Sequence, residues 1–362
     1  MISSNELPFS ARILVRLLLG ITVVFILIIT RQLLVPLFFA VLFAYALYPA
    51  ANRLEGFGVP RIITNFTLIL STIVVIAALL FGFGLLIASF SEDLPEIQEQ
   101  MSENFNQFKQ LLESSLGITE SQLSNAGENL QDFGQYIGEF FTATANTVLI
   151  IGLIPVYTFL ILFYRNKFRE FISRVFSSRY ENIVQEIAKQ TATVVPRYMK
   201  GLFVVCLILV FINSAGFYII GIEYALLMGV IAAFFNLIPY LGTVIGYGLV
   251  FIFVLATQST GLAFAVAIQF FIVQFFENNI LTPNITGSYV QINPLVTIFS
   301  LIAGGMIWGL PGMFMVIPYL AILKIVCEVI PKLKPYSFLL GTRGTEKHLM
   351  SWVDLKKKFS RG

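Results

Sequence analysis

Three observations predict an all-α, polytopic membrane protein. Hydrophobic residues make up 57% of the 362 residues and charged residues only 12%, where a soluble domain carries about 25% charged. The mean hydropathy is +0.85. The apolar residues gather into runs of the length that crosses a ~30 Å hydrocarbon core, about 20 helical residues each. Backbone in lipid has to satisfy its own hydrogen bonds, so such runs are helices.

In chain order, the first span covers Leu17 to Thr30 and opens near Ile13. Arg12 and Arg16 ahead of it resemble a signal peptide. No small-residue cleavage site follows, however, and a second apolar run begins directly after Arg31, so the segment reads as a retained span. Leu33 to Ala51, Ile62 to Phe90, Thr147 to Tyr164, Phe203 to Ile220 and Leu262 to Phe276 are further spans. Two runs are too long for one crossing: Tyr224 to Thr257 and Leu295 to Ile330. The first is interrupted by Asn236-Leu237-Ile238-Pro239-Tyr240-Leu241-Gly242, then Gly246 and Gly248; the second by Gly304-Gly305 and Gly309-Leu310-Pro311-Gly312. Proline removes a helix hydrogen bond and glycine loosens the backbone, so both are broken helices or re-entrant hairpins. Counting each as one crossing gives about eight spans; counting both as hairpins preserves the parity, and loop charge does not choose.

Charge sets the expected orientation. Ser91 to Ala145 holds ten acidic residues against one base, Lys109, and belongs outside. Arg165 to Lys200 holds eight basic residues against three acidic ones and belongs in the cytoplasm, as do the basic tail from Lys332 and the short N-terminus. The chain therefore reads as a multi-pass protein of a cytoplasmic (inner) membrane with both termini inside. Its expected organisation is residues 1–90 for the first three spans, 91–145 for an extracytoplasmic helical segment, and 146–200 for the fourth span with a basic cytoplasmic segment. Residues 201–331 form a transport core with two broken helices, and 332–362 a basic tail.

The outer segment has two stripes at steps of three and four, Leu94, Ile97, Met101, Phe105, Phe108 and Leu112, then Leu123, Ala126, Leu130, Phe133, Ile137 and Phe140. These are two amphipathic helices separated near Gly117, lying on each other, on the membrane or on a second subunit. In the cytoplasmic segment Phe168, Phe171, Ile172, Val175 and Phe176 share one face, and the basic opposite face suits an interfacial helix near anionic headgroups. Lys356-Lys357-Lys358 reads as a topology anchor.

Between Gly201 and Leu323 only Glu223 and Glu277 are charged. A carboxylate at the centre of a spanning helix costs roughly 2.5–3.5 kcal/mol on insertion scales, so its retention points to a use. Glu223, beside Tyr224 at a span end, reads as an interfacial residue in water. Glu277 opens the polar run Glu277-Asn278-Asn279-Ile280-Leu281-Thr282-Pro283-Asn284 between two apolar segments. Three readings stand open: a proton- or cation-binding carboxylate, since burial penalises the bare charge; an acceptor for a polyhydroxylated solute; or a structural group bonding backbone amides freed at a helix break. Asn278, Asn279, Thr282, Asn236 and Gln274 are its candidate partners around a small polar solute or an ion such as Na+ or H+. Gln269 either faces the same cavity or bonds across spans. Pro239, Gly242, Pro283, Gly287, Pro294, Gly305, Gly309, Pro311 and Gly312 are the candidate break and hinge positions, because paired helix breaks mark carrier binding regions.

The motifs 236–242, Glu277 to Pro283 with Gly287 and Pro294, the glycines 304, 305, 309 and 312, and Tyr198 to Gly201 together resemble the autoinducer-2 exporter family over about Ile13 to Pro331. Thr243 departs from the pattern, standing where the family often has a second proline. The resemblance implies eight spans, an extramembrane segment between spans three and four, and export of a small polar signalling molecule in quorum sensing. Some members of the family resemble sodium/proton antiporters. It further implies homo-oligomers, expected pentamers, working like elevator carriers.

No cofactor and no enzyme activity are expected. The single histidine, His348, lies in the polar tail, and Cys206 and Cys327 sit in apolar runs as inert thiols. No HExxH occurs, and the serines and threonines of the spans have no adjacent base. A channel or a non-transporting membrane scaffold is the remaining alternative to a carrier.

Overall fold

The computed structural model describes residues 8–93, 95–97, 99–100, 148–175, 180–286 and 291–342. Among them the chain is helical: α1 (Phe9–Ile29), α2 (Arg31–Gly56), α3 (Arg61–Glu92), α4 (Val148–Phe163), α5 (Arg165–Val175), α6 (Glu181–Ile220), α7 (Ala225–Phe235), α8 (Leu241–Thr257), α9 (Thr260–Phe276), a π-helical segment (Glu277–Thr286), α10 (Pro294–Val329), a 3-10 turn (Pro331–Leu333) and α11 (Lys334–Leu340). Five helical stretches are long and apolar enough to cross a membrane, and shorter apolar helices accompany them. The polytopic all-α class is borne out. Most of the outer segment, including the stripes from Met101 to Phe140, lies outside the described residues, as do Phe176, Gly287, His348 and the Lys356 run.

The chain divides into two compact units, Phe39–Phe163 with Met199–Gly287, and Met1–Phe38 with Tyr164–Tyr198 and Ser288–Gly362. The boundary near residue 287 falls inside the stretch 201–331 that the sequence reads as one core.

In the first unit the long run from Tyr224 is a helical hairpin. α7 has 11 residues, about 16 Å of helix, too short for a crossing. It turns at Asn236–Tyr240 and packs back on α8. The two backbones touch: a Cβ on Gly246 would meet the backbone of Ala232, and one on Gly242 would meet the carbonyl of Phe235. Larger residues at 242 and 246 would force the arms apart. The tip is strained. Leu241 N–H donates to the Pro239 carbonyl at 2.8 Å, closing a γ-turn in which Tyr240 takes φ 65°, ψ −58°, a conformation rare for any side-chain-bearing residue. Around the hairpin, Val205, Leu209 and Phe217 of α6, Val250 and Val254 of α8, and Val266 and Val273 of α9 form one buried core, joined by Phe90 from α3 and by Ile97.

In the second unit α10 also reverses. Gly309 takes φ 66°, ψ −146°, a region that essentially only glycine enters. Gly304 lies against Gly312 and Val316, and Gly305 against Met313. Residues eight apart in a straight helix would be about 12 Å apart, so the chain doubles back at Gly309 into two antiparallel arms. Both long runs are therefore hairpins, which resolves the ambiguity that loop charge left open. Trp308 Nε1 donates to the Leu27 carbonyl at 2.9 Å and the Tyr319 hydroxyl to the Phe38 carbonyl at 2.7 Å, with the Phe38 ring about 5 Å from both aromatic rings. At its start, Asn293 caps α10 through Oδ1 to the Leu295 N–H, and its own N–H donates to the Leu340 carbonyl.

Candidate functional site

α8 and α9 are each 17 residues long and meet at the turn Gln258–Ser259, where Ser259 caps α9 by accepting from the Leu262 N–H. Equal antiparallel arms place their far ends at one level, about 25 Å from that turn. At that level the tip of the α7–α8 hairpin meets the end of α9. Asn236 Nδ2 donates to Glu277 Oε1 at 2.7 Å. Gln274 Nε2 donates to Glu277 Oε2 at 3.4 Å and to Asn278 Oδ1 at 3.1 Å. Glu277 is buried, with 8% of its surface exposed.

Its donors are side-chain amides, not the backbone amides that the structural reading of the sequence expected. Each amide is neutral, so no partner cancels the charge. The Gln274 Oε1 oxygen beside it is buried without a hydrogen bond. The unfilled valence next to the carboxylate is thus another acceptor, and its natural complement is a hydroxyl, an ammonium or a cation.

After Glu277 the helix widens into π geometry through Pro283. Two asparagines bond back to carbonyls four residues earlier: Asn279 Nδ2 bonds the Phe275 carbonyl at 2.8 Å and Asn284 Nδ2 the Ile280 carbonyl at 2.7 Å. π-helical segments recur at functional sites because they re-aim side chains. Here Leu281 and Ile285 still pack on the core, while Asn278, Asn279 and Thr282 are exposed.

The structure brings together Glu277, Asn236, Gln274 and Asn278. Asn279 is turned to its own backbone, and Thr282 lies on the exposed side of the π segment. Pro239 and Gly242 flank the hairpin tip, and Thr243 is buried in the first turn of α8. Pro294, Gly305, Gly309, Pro311 and Gly312 belong to the α10 hairpin of the other unit. Glu223 is exposed, as expected of an interfacial residue, and its neighbour Tyr224 donates to Asp93 at 2.5 Å. Lys324 and Glu328 pair at 3.6 Å, and both cysteines are free.

A second polar group lies two turns up the same face of α9. Tyr247 donates to Asn213 Oδ1 at 2.7 Å, and Gln269 Nε2 donates to the Asn213 carbonyl at 3.2 Å. All three side chains are buried. Gln269 thus bonds across helices. Asn213 and Tyr247 were not singled out from sequence; the one available signal was an asparagine inside the apolar run 203–220.

A buried carboxylate bonded by an amide at the turn of an interrupted apolar run is the kind of helix break that marks binding regions in carriers. The whole-chain comparison agrees. Residues 14–332 match the AI-2E family transporter model, and the chain belongs to that family. It is 27% identical over 321 residues to "Putative transport protein YrrI" of Bacillus subtilis, covering 83% of this chain and 87% of that protein. It is 26% identical over 339 residues to "Putative permease PerM" of Escherichia coli K12, covering 90% and 94%. An archaeal protein of Methanothermobacter thermautotrophicus, named "Putative transport protein", is 25% identical over 290 residues, 79% and 84% of the two chains. Membrane transport is the general activity this membership supports, and a membrane is its location.

Proposed function

We propose that this protein is an ion-coupled, elevator-like carrier that exports a small, polar, hydroxylated solute of the autoinducer-2 type across a prokaryotic cytoplasmic membrane. The observation that carries the reading is the part-buried bond from Asn236, at the turn of a strained hairpin, to the buried Glu277. The neighbouring amides of Gln274 and Asn278 exchange hydrogen bonds with the solute in place of water, and Glu277 holds the coupling ion. The protein works as a homo-oligomer, a pentamer by family resemblance, with both termini cytoplasmic. The exposed apolar faces of α1 and α3 are consistent with lipid or subunit contacts.

A sodium/proton antiporter is the second reading. It is favoured by the neutral donors of Glu277 and the unpaired Gln274 Oε1, an arrangement suited to exchanging H+ for Na+ on one carboxylate.

Thermal stability of the purified protein against a panel of small polyols, with and without Na+, tests both. Stabilisation by a hydroxylated solute that disappears in Asn278→Ala supports the exporter. Stabilisation by Na+ alone, weakening as pH falls, supports the antiporter. No shift with any solute or ion contradicts both.

A further inference from the structure

The transport reading leaves α5 without a role. This helix has 11 residues, none of them buried. Phe168, Phe171, Ile172 and Val175 are 51%, 63%, 39% and 59% exposed. At about 100° per residue they form one stripe roughly 100° wide. An apolar stripe this open needs a cover, and the placement of the charges says which. Arg165 and Arg169 flank one edge of the stripe, Lys167 and Arg174 the other, all within about 60° of it, so the bases border the apolar face and do not form the opposite face that the sequence reading expected. The pole opposite the stripe is taken by Asn166, Ser173 and the one acid, Glu170. Bases spread over a solvated face would show no such order. Bases bracketing an apolar stripe can lay their stems along it and hold their charges at headgroup height, with the acid turned to water. The chain also enters α5 at Arg165, two residues after Phe163 ends the apolar helix α4, so α5 follows directly on an apolar segment in sequence.

We propose that α5 is an interfacial helix that binds the surface of an anionic bilayer, Phe168, Phe171, Ile172 and Val175 entering the acyl boundary and Lys167, Arg169 and Arg174 gripping phosphate-bearing headgroups. Three exposed bases face one acid, and each base near an anionic surface strengthens binding by about fivefold. The Glu170–Arg174 ion pair at 2.6 Å draws one base toward the polar pole and so weakens the grip. The proposal is independent of what the carrier transports.

The test uses the full-length protein with Cys206→Ala and Cys327→Ala, spin-labelled at Ile172→Cys or Asn166→Cys, in nanodiscs of phosphatidylcholine alone or with one-third phosphatidylglycerol. Accessibility to oxygen against a water-soluble nickel chelate reports depth. In the anionic nanodiscs the label at 172 is expected to favour oxygen and the label at 166 the chelate. The preference at 172 should fall at least about threefold in pure phosphatidylcholine, or on combining Lys167→Gln, Arg169→Gln and Arg174→Gln. Glu170→Gln, which frees Arg174, should deepen the label at 172 in the anionic nanodiscs only. A label at 172 open to the chelate overturns the proposal. So does one shielded from both reagents, because a protein surface such as a second copy then covers the stripe. Equal depth in both lipids, unmoved by Glu170→Gln, would overturn the charge recognition.

Discussion

Asn236 and Glu277, 41 positions apart in sequence, are joined at 2.7 Å where the tip of the α7–α8 hairpin meets the end of α9. The bond ties the start of the hairpin turn, four residues before the strained Tyr240, to a carboxylate held away from water. Its loss leaves Glu277 only the 3.4 Å contact with Gln274.

Asn236→Ala is therefore expected to destabilise the protein by about 1–3 kcal/mol, the usual cost of stripping a partner from a buried charged group. In a Glu277→Met background the same change should be nearly neutral, because no carboxylate is left unsatisfied. A double-mutant cycle on detergent-solubilised protein measures the coupling. Equal costs in both backgrounds would mean that the pair does not interact.

Tyr240 holds a positive φ at the hairpin tip although half of its surface is exposed. Backbone strain of this kind costs of order 1–3 kcal/mol, and glycine removes it. Tyr240→Gly should raise thermal stability by about 1 kcal/mol while altering transport, if the strained turn serves the transport cycle. Lower stability would show that the tyrosine side chain contributes more than its backbone costs.

Gly309 and Gly248 provide a matched pair. A Cβ at either meets nothing within 4 Å, but Gly309 alone has a positive φ. Gly309→Ala should cost about 1–3 kcal/mol and lower the yield of folded protein, and Gly248→Ala should leave both within about 0.5 kcal/mol of wild type. Equal effects would remove the argument that α10 needs its reversal there.

Orientation is open to direct labelling. Glu99→Cys and Asn166→Cys, in the background lacking both native cysteines, should react with an impermeant thiol reagent from opposite sides of sealed cells or vesicles, Glu99→Cys from outside. Reaction of both from one side contradicts the topology.

The helical class and the positions of most apolar helices were legible in the sequence, because apolar length acts locally. The two interruptions were legible too, through Pro239, Gly242, Gly309 and Pro311. Their outcome was not. A kinked crossing and a hairpin share the same residues and the same loop charges, and the choice lies in backbone contacts such as Gly246 on Ala232 and Gly312 on Gly304. Glu277 stood out by its charge alone, whereas its pairing with Asn236 depends on the equal lengths of α8 and α9. Asn213 and Tyr247 were hidden for a simpler reason: a polar atom bonded across helices leaves no periodic trace in either of them.

The most direct test of the transport account is Glu277→Gln in proteoliposomes. This substitution retains the shape and the acceptor for Asn236 while removing the charge. The variant is expected to fold and insert like wild type, with ion-dependent movement of solute reduced to the level of empty liposomes. A variant that moves every candidate solute and ion at the wild-type rate would show that Glu277 is a structural residue and that the transport site lies elsewhere.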